Sequence, residues 1–94
     1  MLLNKQANFG GLFVSIFDFE VAGDVLPFHV HDEKTAHITI VARGKIKAYS
    51  HDWEKEASAG ATLDFRPNEP HEIVALEDNT RIINVAKNSF DPTT

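Results

Sequence analysis

At 94 residues, 43% of them hydrophobic, the chain has the size of one domain and the composition of a folded one. A domain this small buries only about 60–65% of the surface its unfolded chain exposes, so its core is thin. The absence of cysteine excludes disulfides, thiolate metal sites and cysteine nucleophiles, and it is compatible with a cytoplasmic protein. The net charge of −5 and the scattered Lys and Arg argue against nucleic acid as a partner. No apolar run is long enough to span a membrane.

No stretch carries apolar residues three and four apart over three turns, so no strong helix is expected. Short alternating runs rich in Val, Ile, Phe and Thr recur instead. Residues 13–21 read as a strand, with Phe13, Ser15, Phe17 and Phe19 on one face and Val14 and Ile16 on the other. Gly23-Asp24 marks a turn, residues 28–31 a short strand and residues 32–35 a polar loop. Residues 37–42 read as a strand broken by Arg43-Gly44. Residues 45–51 alternate cleanly, Ile46, Ala48 and Ser50 against Lys45, Lys47 and Tyr49. Residues 52–60 form a charged connection, 62–65 a strand and 66–70 a proline-containing loop. Residues 71–76 and 81–86 are the last strands, before a loose tail over 87–94. Strands at roughly 8–12-residue spacing with turn signals between them predict an all-β barrel or jelly roll in one domain, 1–94.

Four of the five histidines fall at suggestive places. His29 and His31 are two apart on a strand, and alternate strand residues point to one face. His37 opens the next strand and His71 opens a later one. Neutral imidazole is the commonest ligand for the transition metals, so the four are the candidate metal ligands. Glu33, Glu69 and Glu72 lie near them in sequence and are candidates to orient an imidazole N–H. Thr39 shares a face with His37, and Leu63 and Phe65 are expected along the same apolar cavity, which makes Thr39 and Phe65 the candidate substrate-lining residues. His51 is expected at the surface in a hairpin. Ile38 and Ile40 lie on the face opposite His37. That face would be wet in a one-layer barrel wall, so it calls for a cover: the strand around Val14–Ile16 or a second subunit.

Gly23, five residues, then His29-Val30-His31 resembles the start of the first cupin motif. That motif continues with a glutamate, six residues and a glycine. Here His37 stands where the glutamate is usual, one residue late, and six residues then precede Gly44. The second cupin motif is matched more loosely by Gly60, Pro67 and His71, with Glu69 in place of its inner glycine. The resemblance covers about 23–76, motif one over 23–44 and motif two over 60–76. It implies a single cupin-type double-stranded β-helix, or jelly-roll barrel. It also implies one divalent transition metal ion (Fe, Mn, Ni, Zn or Cu) on His29, His31, His37 and His71, and a homodimer.

Replacing the carboxylate with imidazole keeps the ion's full charge, so a small anionic molecule is the expected ligand. Three readings stay open: a metal-dependent dioxygenase, isomerase or lyase; a non-catalytic ligand-binding or sensing cupin with a structural metal; or a jelly-roll protein without metal whose histidines are incidental.

Overall fold

The alternating runs form strands throughout. The computed structural model describes residues 1–29, 35–66 and 68–88, with positions 9, 28, 29, 35, 36 and 88 as backbone. In chain order the strands are β1 Leu2–Phe9, β2 Leu12–Phe19, β3 Val25–His29, β4 Thr35–Arg43, β5 Lys45–Tyr49, β6 Glu54–Ser58, β7 Thr62–Leu63, β8 His71–Ala75 and β9 Thr80–Asn88. They build a five-stranded sheet, β1-β2-β9-β4-β7, and a four-stranded sheet, β3-β8-β5-β6, with antiparallel pairing throughout. Among the described residues no helix is long and apolar enough to cross a membrane.

Two expected irregular segments prove to be structured. β6 was expected as a charged connection, because Glu54-Lys55-Glu56 carries no apolar alternation. It pairs with β5 so that Glu56 faces Lys47 and Glu54 faces Tyr49, and only Ala57 reaches the core. β9 runs on to Asn88, so positions 87 and 88 belong to a strand and not to a tail. Their pairing with Thr35 and Ala36 extends the ladder. Residues 89–94 lie outside the described residues.

Register fixes which residues face inward. Across the five-stranded sheet the inner rows are Phe19–Thr80, then Phe17–Ile82–Val41, then Ser15–Asn84–Thr39 with Leu63, then Phe13–Ala86–His37. Across the other sheet they are Ala75–Ile46–Ala57 and Ile73–Ala48 with Leu26. Phe19, Val41, Ile82, Ile46, Ala48, Ile73 and Ala75 are buried and form the core at one end of the barrel. Full burial of a side chain like Phe19 or Ile82 contributes about 2–3 kcal/mol. Toward the other end the rows become polar and open, and Phe13 is 49% exposed. The fold is thus a barrel packed shut at one end and open at the histidine end.

The chain turns from β4 into β5 at Gly44, with φ of 81°. A Cβ there would collide with Thr80 Oγ1 and meet Thr80 Cα at 2.9 Å. The second contact is backbone and cannot swing aside. Gly44→Ala should therefore lose about 2–4 kcal/mol through left-handed strain and overpacking, read as a lower urea midpoint at unchanged slope.

On the outside of the five-stranded sheet, Arg81 Nε and Nη2 donate to the Asp18 carboxylate at 2.7 and 3.0 Å. This guanidinium holds the Asp18 carboxyl below its ordinary value. A folded pKa below the unfolded one stabilises at pH above the ordinary carboxylate value, and the contribution vanishes as pH falls through the folded value. Asp18→Asn should cost about 1 kcal/mol at pH 7. The gap to wild type should close in acid, below about pH 4, in urea titrations repeated across pH.

Candidate metal centre and pocket

β3 does not run straight past β8. Leu26 pairs with Ile73, but the next pair is His29 with His71. Two residues, Pro27 and Phe28, stand on β3 against one, Glu72, on β8, so β3 carries a bulge. Pro27 has no N–H to give the ladder, which suits it to that place. Without the bulge, position 28 would oppose His71. With it, His29 becomes the register partner of His71. His31 and Glu33 lie outside the described residues.

His71 is fully buried. Its Nδ1 lies 3.0 Å from the backbone carbonyl of Glu69. A carbonyl only accepts, so in the neutral ring Nδ1 carries the proton and Nε2 keeps the lone pair. That is the tautomer a metal ligand needs, with the ring held by an outer partner. The Glu69 backbone does the orienting, not its carboxylate. Glu72 faces outward and accepts from the Tyr49 hydroxyl, which raises the Tyr49 pKa. Tyr49 thus lies outside the barrel, as its alternation predicts. The loop before His71 is pinned by Ser50, whose hydroxyl donates to the Pro70 carbonyl at 2.5 Å. Asn68 takes a left-handed φ of 63° there. It does the turning that the motif's glycine usually does, one residue before Glu69.

Phe65 lies flat on His71, ring centroids 3.8 Å apart and planes within 5°. On its flanks are His37 at 6.0 Å and Trp53 at 6.1 Å. Phe65 falls just past the end of β7, where it joins Trp53, Lys55, Arg66 and Glu69 around a recess of about 240 Å³. His37, on β4, turns into the open end of the barrel. A pocket of about 270 Å³ opens there, lined by Phe13, Ser15, Phe17, Leu26, His37 and Asn84. Thr39 is fully buried. Its hydroxyl donates to Asn84 Oδ1 at 2.7 Å. With that proton committed, its oxygen can only accept from His37 Nε2, 3.3 Å away. His37 therefore carries its proton on Nε2, so any lone pair it offers an ion is on Nδ1.

Among the described residues no three His, Asp or Glu side chains form a metal cluster. That search does not reach the side chains of His29 and His31. His51 is exposed in the β5–β6 turn, as expected. Asn84, Phe13, Phe17 and Leu26 were not named in advance as pocket residues. The available signal was Asn84 itself, a lone amide within the apolar run Ile82-Ile83-Asn84-Val85.

No protein-family profile matches the chain, and no curated protein matches it in sequence. Solved structures do match. KdgF from Halomonas sp. superposes with a TM-score of 0.80 at 21% identity, over 99% of this chain and 84% of that one. An RmlC-like cupin protein from Desulfovibrio desulfuricans gives 0.80 at 21% identity, over 93% and 82%. A cupin superfamily protein from Desulfitobacterium hafniense gives 0.78 at 12% identity, over 93% and 77%. The chain has the cupin fold, a double-stranded β-helix.

The buried hydroxyl of Thr39 links the pocket wall to the sheet. Thr39→Val removes the partner that Asn84 and His37 share and should cost about 1–3 kcal/mol, measured by urea unfolding.

Proposed function

We propose that this chain is a cytoplasmic, metal-dependent cupin acting on a small anionic molecule, with the ion held by His29, His31 and His71. The observation that carries the reading is the β3 bulge, which brings position 29 opposite a buried His71 whose Nδ1 proton is tied to a carbonyl. A buried imidazole held in the Nδ1–H form, beside a second histidine position, suits a divalent transition metal. The ion would supply Lewis acidity toward a ligand oxygen.

The protein's own groups then define the ligand. Imidazoles are neutral donors, so they leave the ion's charge unreduced and favour a carboxylate, enolate or similar anion. Phe13, Phe17 and Leu26 give the pocket that His37 lines an apolar wall, which fits a short apolar segment. His37 lines the pocket wall with its Nε2–H directed to Thr39, and its Nδ1 lone pair is the one that would reach the ion in a four-histidine site. In a three-histidine site that lone pair would instead take a proton from a bound molecule. Three protein ligands would leave positions for that molecule, which favours an enzyme of the dioxygenase, isomerase or lyase kind over a purely structural metal.

Elemental analysis of untagged protein, reconstituted and desalted, tests this. Wild type and His37→Ala should carry about one ion per chain, whereas His29→Ala and His71→Ala should carry almost none. Chelation should lower the thermal midpoint of wild type and leave that of His71→Ala unchanged. Oxalate or malonate should raise the midpoint of the loaded form alone. Negligible metal in wild type sinks the reading; loss of metal in His37→Ala restores His37 as a ligand.

A further inference from the structure

Asn84 lines the pocket beside His37 and is only 9% exposed. Its Oδ1 is engaged by the Thr39 hydroxyl on β4, at 2.7 Å. The amide is planar and its two ends point apart, so Nδ2 faces away from β4. On the β2 side the residue opposite Asn84 is Ser15, in the same inner row and the same pocket. Opposed residues on one face have Cβ atoms about 4.5–5.5 Å apart, close enough for their side chains to converge on one atom. Among the described residues, neither Asn84 Nδ2 nor the Ser15 hydroxyl donates to a protein acceptor. A buried amide with an unused donor is costly unless a molecule in the pocket accepts from it.

We infer that Asn84, assisted by Ser15, is the residue that selects the ligand: the Asn84 Nδ2–H and the Ser15 O–H together hold a neutral carbonyl oxygen. A carbonyl oxygen has two lone pairs and no proton to give, which matches two donors. A carboxylate brings a full charge and more acceptor sites, and among the described residues no Lys or Arg lines this pocket to meet it. A hydroxyl brings a proton of its own, while Asn84 Oδ1 is already engaged by Thr39. A methyl group would strip both donors of water and return nothing. Thr39 sets the polarity: by donating to Oδ1 it keeps the amide from turning over and offering its oxygen to the pocket. The ligand is therefore a monoanion with a ketone or amide oxygen joined to its charged end by a short apolar spacer, which Phe13, Phe17 and Leu26 accommodate. The charged end rests on the metal reading above, whereas the carbonyl end is read from the pocket alone.

Two experiments keep those parts separate. In the first, isotope-labelled metal-free protein is titrated with N-methylacetamide and followed by NMR. The Asn84 side-chain amide signals, identified by their loss in Asn84→Leu, should move downfield, and should move less in Ser15→Ala. In the second, zinc-loaded protein is titrated calorimetrically with levulinate and its next longer homologue, against pentanoate and hexanoate. At least one oxo acid should bind about tenfold tighter than its alkanoate. Asn84→Leu should abolish that preference and leave the alkanoate affinity within about twofold, and Ser15→Ala should reduce the preference about threefold. Asn84 signals that stay in place in wild type, oxo acids that bind no tighter than alkanoates, or a preference that survives in folded Asn84→Leu each overturns the inference. If no acid binds the zinc-loaded protein, the metal reading fails and the first experiment decides alone. If Asn84→Leu does not fold, through-bond assignment identifies the signals, and a Ser15→Ala variant indistinguishable from wild type overturns the inference.

Discussion

The arrangement of this protein rests on one local irregularity, the extra residue in β3 against β8. A strand alternates its side chains with a period of two, so one inserted residue exchanges the faces of everything beyond it. Leu26 pairs with Ile73 inside the barrel, and an undisturbed ladder would bring Phe28 to His71. The bulge at Pro27 and Phe28 replaces an aromatic position with a histidine position at that point. The rest of the site is organised around His71. Ser50 and the left-handed Asn68 shape the loop that precedes it, the Glu69 carbonyl sets its tautomer, and Phe65 covers its ring.

The barrel is graded from end to end. Near Phe19, Val41, Ile46 and Ile82 it is a dry, apolar core. One row further on, Thr39 and Asn84 are buried but hydrogen-bonded to each other, which keeps their burial tolerable. At the next row His37 stands beside Phe13, where the two sheets no longer meet. Folding and function therefore use different parts of the same ladders. The closed end supplies the burial that holds the strands in register, and register alone carries that order to the open end, where imidazoles and half-exposed aromatics contribute little stability.

Much of this was legible in the residues. Alternation of Phe13, Ser15, Phe17 and Phe19 against Val14 and Ile16 identified the faces of β2 correctly, and that of Ile46 and Ala48 did the same for β5. Glycine punctuation placed the corner at Gly44. The alternating strands announced an all-β barrel, and the resemblance around His29, His31 and Gly44 implied the cupin form of it. What could not be read was pairing. β6 has a surface composition because one of its faces is salt-bridged to β5, so nothing in Glu54-Lys55-Glu56 announces a strand. The β3 bulge is invisible because a bulge is defined only against a partner strand. Thr39 was read as pocket-lining from its face, but depth matters as well as face. Thr39 shares the row of Ser15 and Asn84 but is fully buried, and its hydroxyl meets the pocket wall through Asn84 and His37.

The outer faces follow from the same shortage that thins the core. A chain of 94 residues has few apolar side chains to spare, and this one places an Ile and Val cluster where no other part of the described chain covers it. Val14, Ile16, Ile40, Ile83 and Val85 are only partly buried there, and Ile38 is exposed. Val14 and Ile16, one possible cover for Ile38 and Ile40, lie on the same face and extend the cluster instead. The ion pair of Asp18 and Arg81 stands at the border of that cluster. The other sheet does the opposite: Lys45 and Lys47 each have an acid beside them on the neighbouring strand, which suits that face to water.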